Sequence, residues 1–457
     1  MLKSIDPATG RELAEFPELD QAGIEAAIAK AYETRYGWRD AGVEARAGFI
    51  RNVAGVLRAD KARYASILTA EMGKPIAEAE GEVEKCAWTA GWLADNAARL
   101  LADEPIESTG TRAFARFQPL GVILAVMPWN FPFWQALRAG MPALVAGNVM
   151  LLKHASNVPQ SALAIEEVFR EAGVPEGVFQ TLLIGSGAVE RIITDDRVAG
   201  VTLTGSEAAG IKVATAAGKA LKKSVLELGG SDPFIVLEDA DLKTAATVAC
   251  RARNQNNGQS CIAAKRFIVV DSVADEFESL FASAVGALKV GDPTDRGNQV
   301  GPLARPDLVD DLERQVKESI RLGAKTLTGG KRIAVNGGNY FQPTVLGNVR
   351  PGMPVYHEET FGPVASVIRV KDDQEALRVA NDTEFGLGSA IFTADVDRAL
   401  RMAEKVEAGL VFINGMVASD ARLPFGGVKR SGYGRELSSY GIKEFVNIQT
   451  VWVGPAK

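Results

Sequence analysis

The residue best suited to covalent chemistry is Cys261, within NNGQSCIAAK at positions 256–265. A Gly-Gln-Ser approach precedes it, and an apolar run over 266–270 predicts a following strand, so a loop would display the thiol. A cysteine nucleophile usually relies on a histidine, and the chain has only His154 and His357. An active Cys261 therefore needs another source of activation. The alternative is a buried, inert cysteine, which is our interpretation of Cys86 and Cys250.

A carboxylate and an amide could support such a thiol. Within LELGGSDP, Glu227 ends an apolar strand before two glycines, where partial desolvation would raise its pKa and suit a general base. A buried cap or ion pair is the alternative. In PWNFPFWQALRAG, the side chains of Asn130, Trp134 and Arg138 share one helical face. A helix cap, a packing tryptophan and a solvated arginine would give the same pattern.

Polar groups also follow two predicted strands. Lys153 and Ser156 belong to LLKHAS, and Gly205 and Ser206 lie within TLTGSEAAGIK, a strand–turn–helix junction. Helix N-termini bind phosphate through free N–H groups, although neither segment has the full G-x-G-x-x-G fingerprint. A lysine that extends to solvent and ordinary turns explain these residues equally well. EETFGP (358–363) and PFGGVKRSGYGRE (424–436) read as polar loops.

The elements that must position these residues follow from periodicity. Residues 20–104 have helical spacing of apolar residues, and 111–120 alternates like a strand. From 121 to 229, apolar runs alternate with helical segments, which predicts a parallel doubly wound sheet. A second α/β block extends from 230 to about 413. The final segment EFVNIQTVWVG predicts a strand that must be paired, with another subunit as one option.

Composition excludes several classes of protein. The 457 residues are 47% hydrophobic and 24% charged, with a net charge of −6, which argues against a nucleic-acid surface. Three cysteines form no disulfide framework, and no spacing indicates a metal site. The start MLKSIDPATGREL does not read as a signal peptide, and no apolar run is long enough for a membrane span. We expect a cytoplasmic protein with reduced thiols.

Five motifs together resemble the aldehyde dehydrogenase superfamily: PWNFP, LELGG, NNGQSC, EETFGP and PFGGVKRSG, in the family's order over nearly the whole chain. The resemblance implies an α/β aldehyde dehydrogenase-like fold that forms a homodimer or homotetramer. Its parts would be a Rossmann-type cofactor domain (1–110 and 121–229), an α/β catalytic domain (230–430) and a small β oligomerisation arm (111–120 and 431–457).

The resemblance also implies a mechanism. Cys261 would attack an aldehyde carbonyl to give a thiohemiacetal, with the Asn130 amide and the Cys261 N–H as the oxyanion hole. A nicotinamide nucleotide would accept hydride and leave a thioester, which water activated by Glu227 would hydrolyse. Local N–H dipoles and the cationic nicotinamide would favour the thiolate without a histidine. The residues implied to bind the nucleotide are Trp129, Lys153, Ser156, Gly205, Ser206, Glu359 and Phe361.

Within the superfamily, the chain most resembles bacterial succinate-semialdehyde dehydrogenases. That resemblance implies that Arg138 and Ser419 hold a substrate carboxylate, with Trp134 in the same pocket. Many members have an arginine where this chain has Gln255, so binding of the carboxylate would depend on Arg138 and Ser419. Ser156, where relatives that prefer NAD often carry Glu, indicates a preference for NADP, with NAD possible.

Three alternatives remain open. An acylating enzyme that depends on CoA would not need Glu227. A broad-specificity enzyme would act on other short aldehydes such as glutarate semialdehyde. A binding or structural protein could have kept the fold without the activity.

Overall fold

The computed structural model describes residues 1–455. Its helices are α1 Gln21–Asp40, α2 Val43–Ala59, α3 Lys61–Met72, α4 Ile76–Leu100, α5 Pro132–Val145, α6 Pro159–Glu171, α7 Val189–Thr194, α8 Glu207–Lys219, α9 Leu242–Asn254, α10 Asp271–Gly286, α11 Pro306–Arg321, α12 Pro354–His357, α13 Asp373–Asn381, α14 Val396–Ala403 and α15 Ser438–Gly441.

The strands are β1 Leu2–Ile5, β2 Glu12–Phe16, β3 Glu104–Pro105, β4 Arg112–Pro119, β5 Val122–Met127, β6 Val149–His154, β7 Phe179–Thr181, β8 Val198–Thr204, β9 Lys223–Glu227, β10 Asp232–Val236, β11 Ala264–Val270, β12 Lys325–Thr328, β13 Arg332–Ile333, β14 Tyr340–Phe341, β15 Thr344–Gly347, β16 Val364–Val370, β17 Gly388–Phe392, β18 Leu410–Ile413, β19 Gly432–Tyr433 and β20 Val446–Val453.

The predicted helical region forms α1 to α4, as its periodicity indicated. Asp20 starts α1 because its carboxylate accepts the N–H of Gly23 at 2.8 Å. Gly73 ends α3 in the left-handed region, with φ 78°, which a glycine adopts without strain. α4 packs its apolar face against α2 and α5, and it therefore borders the helix that follows Asn130.

Two sheets, parallel except at one edge strand each, dominate the fold. The first has the order β19-β9-β8-β5-β6-β7, and the second has the order β12-β15-β16-β11-β10-β17-β18. Only β19 and β12 run antiparallel to their neighbours. The central strands β6 and β11 are buried along their whole length, which explains their continuous apolar runs. The predicted α/β class with parallel sheets is confirmed.

The terminal strand β20 pairs within its own chain. It runs antiparallel to β4 in register from Val446 opposite Pro119 to Val453 opposite Arg112, and β3 completes this three-stranded sheet. Residues 432–433, which we assigned to the arm, instead extend the first sheet beside β9. The other predicted domain boundaries remain predictions. No helix in residues 1–455 has the length and apolarity to cross a membrane.

Candidate active site

A sharp turn after α9 displays Cys261. Asn256 and Asn257 have φ of 54° and 58°, and Gly258 has φ 74°, so three consecutive residues adopt the left-handed region. Asparagine and glycine tolerate this conformation best. Any side chain at Gly258 would collide with the backbone of Gly362. The turn therefore places the Cys261 loop directly against the EETFGP loop.

Hydrogen bonds fix Asn130 to the same turn. The side chain of Asn256 donates to the carbonyl oxygens of Asn130 at 2.7 Å and Gln259 at 2.9 Å, while its N–H donates to Glu78 at 2.6 Å. The Asn130 amide donates to the Gln259 carbonyl at 3.1 Å. An amide has two N–H donors, so one remains for a substrate oxygen. The structure thus brings the predicted amide and thiol together.

A cavity of about 220 Å³ opens at Cys261, and we call it the reactive cavity. The aromatic rings of Trp129 and Phe361 form part of its wall and pack edge to face, with their centroids 5.7 Å apart. The predicted site residues that line it are Trp129, Asn130, Gly205, Ser206, Cys261, Glu359 and Phe361. Gln135, Thr204, Arg305 and Leu308 also line it and were not predicted.

A second cavity of about 580 Å³ lies along the first sheet and includes Lys153 and Leu203 in its lining. The β8–α8 junction lies between the two spaces, because Leu203 lines one and Thr204 lines the other. Ser206 caps α8 by accepting the Ala209 N–H at 3.4 Å. This arrangement fits a dinucleotide, with one end at Cys261 and a phosphate group near a helix N-terminus. Ser156 is exposed beyond β6 and does not line either space.

Buried charges surround the nucleophile. Burial raises the pKa of the Cys261 thiol to about 12, although nearby Lys265 and Arg138 act in the opposite direction. Lys265 donates to the Cys261 carbonyl oxygen at 2.6 Å and pairs with Glu359 at 3.3 Å. Glu359 also accepts the Gly230 N–H at 3.0 Å. Burial therefore favours the protonated thiol, and the predicted thiolate remains a prediction.

Glu227 does not line the reactive cavity. A Cβ added at Gly426 would lie 2.7 Å from its Oε1, so the carboxyl group faces the PFGGVKRSG loop. Both carboxyl oxygens are buried without a hydrogen-bond partner in residues 1–455. Burial, together with the neighbouring Glu436, raises the pKa of Glu227 well above its usual range. This carboxyl group could accept a proton from water after its side chain turns.

Arg138 is buried and pairs with Glu436. Its guanidinium lies 4.6 Å from the centroid of the Phe425 ring, and its Nη2 donates to Thr204 at 3.4 Å. Arginine has five N–H donors, so these contacts leave donors for another acceptor. The role predicted for Arg138 in carboxylate binding remains a prediction.

Trp134 and Ser419 meet at a lysine that the sequence did not indicate. Lys85 of α4 donates to the Ser419 hydroxyl at 2.6 Å, and its ammonium lies 4.3 Å from the centroid of the Trp134 ring. We call these three residues the lysine cluster. Gln255 lies partly buried after α9 and makes no side-chain hydrogen bond within residues 1–455.

The family model named "Aldehyde dehydrogenase family" matches residues 1–451. The chain belongs to the aldehyde dehydrogenase family.

Full-length relatives of this aldehyde dehydrogenase carry similar names. It is 51% identical to the succinate-semialdehyde dehydrogenase [NADP(+)] of Mycobacterium avium over 460 residues, which cover 100% of this chain and 97% of the relative. It is 49% identical to the succinate semialdehyde dehydrogenase [NAD(P)+] of Escherichia coli over 449 residues, covering 98% and 97%. The Streptococcus pyogenes succinic semialdehyde dehydrogenase, solved in complex with NADP+, matches with a TM-score of 0.97 at 40% identity, with all of both chains covered.

Sequence reasoning missed several charged residues that contact the predicted site residues of this aldehyde dehydrogenase. Glu436 is part of the quoted PFGGVKRSGYGRE loop, but nothing in that pattern showed that it would pair with Arg138. Lys265 follows the nucleophile by four residues and resembles an ordinary strand lysine. Lys85 belongs to GEVEKCAW, a mixed helical segment in which a lysine usually faces solvent.

Proposed function

We propose that this aldehyde dehydrogenase oxidises succinate semialdehyde to succinate, with NADP as its preferred nucleotide. The convergence of Cys261 and Asn130 in one cavity carries the proposal, together with a basic cluster that includes Trp134, four residues after Asn130. The names of the full-length relatives support it.

The Cys261 thiol first loses its proton to water, and its sulfur then attacks the aldehyde carbon and forms a thiohemiacetal. The free N–H of the Asn130 amide, together with the Cys261 backbone N–H, stabilises the oxygen that becomes negative. A bound nicotinamide nucleotide supplies the hydride acceptor that takes the thiohemiacetal to a thioester. Glu227 then turns toward Cys261 and takes a proton from the water that attacks the thioester. Succinate leaves and the thiol is restored.

Several side chains are proposed to hold the nucleotide. Glu359, Phe361 and Trp129 would hold its nicotinamide half in the reactive cavity, while Gly205, Ser206 and Lys153 would hold the other half. Lys153 is buried, and burial lowers its pKa. A buried ammonium gains from an anionic partner, and the neutral Ser156 adds no repulsion. These features favour a nucleotide with an extra phosphate.

The substrate carboxylate is proposed to bind beside Trp134. Ser419 provides a hydroxyl, and Arg138 has donors beyond those used by Glu436 and Thr204. Gln255 begins the short turn that precedes Cys261 and is the remaining residue proposed to contact the substrate.

The test is NADPH formation from succinate semialdehyde without CoA or phosphate. We expect kcat/KM to be at least about tenfold higher than for butanal, which has four carbons but no carboxylate. Glutarate semialdehyde tests the length of the pocket. Activity that requires CoA would establish the acylating alternative, and no NADPH with any aldehyde would establish a protein that kept only the fold.

We also propose a homodimer or homotetramer in the cytoplasm. The outer edge of β20 has no strand partner in residues 1–455, and Ile448, Trp452 and Val453 are exposed along it. A catalytic thiol is preserved in a reducing compartment. Light scattering of the purified protein measures the assembly state, and a monomer would contradict it.

A further inference from the structure

Lys85 is the ammonium group nearest to two residues proposed to contact substrate. It is partly buried on α4, and it reaches both the hydroxyl of Ser419 and the face of Trp134. Trp134 and Ser419 are themselves buried. A lysine in such a place is held by one neutral hydrogen bond and one aromatic ring.

The charge of Lys85 lacks a partner in the part of the chain that the structure describes. Within residues 1–455 it forms no ion pair, and both nearby carboxylates are engaged elsewhere. Glu82 pairs with Lys74 and accepts the Trp134 N–H at 2.9 Å. Asp420 is held by Arg422 at 2.5 Å.

The neighbouring cation, Arg138, is in a different electrostatic environment. Arg138 has Glu436 as a buried counter-ion, whereas Lys85 has none among residues 1–455. Burial, and then repulsion from Arg138, lowers the pKa of Lys85 to about 8, while Cys86, Glu82 and Asp420 act in the opposite direction. An incoming anion would relieve this cost.

Lys85 also packs against the helix that follows Asn130. The hydrogen bond from Trp134 to Glu82 fixes α4 against the first turn of α5. Trp134 lies in that turn, four residues after Asn130, which precedes the helix, and a four-carbon semialdehyde spans roughly 5 Å. Gln135, next to Trp134, lines the reactive cavity. An aldehyde held at Cys261 and Asn130 would extend its far end toward the lysine cluster.

We propose that Lys85 is a specificity-determining residue whose ammonium group, with Ser419 and over the face of Trp134, binds the carboxylate of the substrate. This inference rests on the proposed function and adds to it the cation that recognises the acid.

The test compares Lys85→Met, which keeps most of the stem without the charge, with Lys85→Arg, which keeps the charge. Each is assayed with succinate semialdehyde and butanal. We expect Lys85→Met to lower the ratio of kcat/KM for the acid over that for butanal by about 30-fold, since charged hydrogen bonds carry effects of this size. Lys85→Arg should recover at least part of the ratio. The ratio does not depend on how much of a preparation is folded.

Lys243→Met, at an exposed lysine of α9, is the matched control and should leave the ratio unchanged. Succinate should raise the thermal unfolding midpoint of the wild type but not that of Lys85→Met. If the wild type prefers succinate semialdehyde over butanal and Lys85→Met keeps the same ratio of kcat/KM, the proposal for Lys85 is overturned. No preference for the acid in the wild type would overturn the proposed function itself, which is a separate outcome.

Discussion

The reactive cavity and the lysine cluster are built in different ways. Loops that are distant in sequence form the cavity, and hydrogen bonds to backbone atoms tie Asn130 and Asn256 to the Cys261 turn. Two facing helices and the loop that carries Ser419 form the cluster, with a cation that has no counter-ion in residues 1–455. The cavity has what every aldehyde needs, whereas the cluster has a group that only a carboxylate would use. Changes in the two regions should therefore have different kinetic signatures.

The largest effect is expected from Cys261→Ala. Removing the nucleophile should lower kcat by about a thousandfold or more for every aldehyde. Because the carbonyl chemistry is common to all substrates, succinate semialdehyde and butanal should lose activity in equal proportion. Steady-state NADPH formation measures both. A loss of activity with only one of the two substrates would show that Cys261 takes part in specificity, and the contrast between the two regions would then fail.

Glu227→Gln should lower turnover by about 100-fold. Its first turnover should remain, because the thioester forms before the base is needed, so a burst of NADPH should precede a slow phase. The pKa of Glu227 is raised, so the carboxyl group is protonated at low pH and becomes a base as the pH increases. The wild-type hydrolysis rate should therefore rise with pH above the ordinary carboxyl range.

That rise should be absent in Glu227→Gln, and stopped-flow traces across pH measure it. Glu238→Gln, at a surface carboxylate paired with Arg398, is a matched control for the loss of a negative charge. A variant without a burst would place Glu227 before hydride transfer rather than after it.

The reactive cavity was largely predictable from the sequence, for a physical reason. Apolar runs identified the buried strands β5, β6 and β8, and the carboxyl ends of parallel strands meet at one edge of a sheet. Motif residues that follow such strands must therefore converge. Asn130 and Gly205 do so, and the Cys261 loop meets them from the second sheet.

The lysine cluster was not predictable, because its contacts are set by packing and not by local pattern. Lys85 and Ser419 are 334 residues apart. The helical spacing of α5 predicted that Trp134 and Arg138 share a face, but not that Glu436 would neutralise the arginine. The orientation of Glu227 likewise depends on the close approach of Gly426.

Arg138→Ala sharpens the comparison, because Arg138 lies next to both regions. We expect kcat/KM for succinate semialdehyde to fall roughly 30-fold further than for butanal, because the carboxylate of the substrate would lose a charged partner. The unfolding free energy should also fall by about 3 kcal/mol, since Glu436 loses its buried partner. Glu436→Gln is the control, because it should lower stability without the selective loss. Equal losses for both aldehydes would exclude Arg138 from recognition of the carboxylate and leave that role to the lysine cluster.

The smallest effect is expected outside both regions, from Ser156→Glu. The new carboxylate would lie near Lys153 at the end of β6 and would repel the extra phosphate of NADP, while NAD lacks that phosphate. Because Ser156 is exposed, solvent screens the repulsion, and the NADP-to-NAD ratio of kcat/KM should fall by only about tenfold. Ser156→Gln, similar in size but neutral, should keep the wild-type ratio. Neither variant should alter the preference for succinate semialdehyde over butanal, since choice of nucleotide and choice of aldehyde depend on different residues. A wild-type enzyme that strongly prefers NAD would contradict the predicted role of Ser156 before any variant is made.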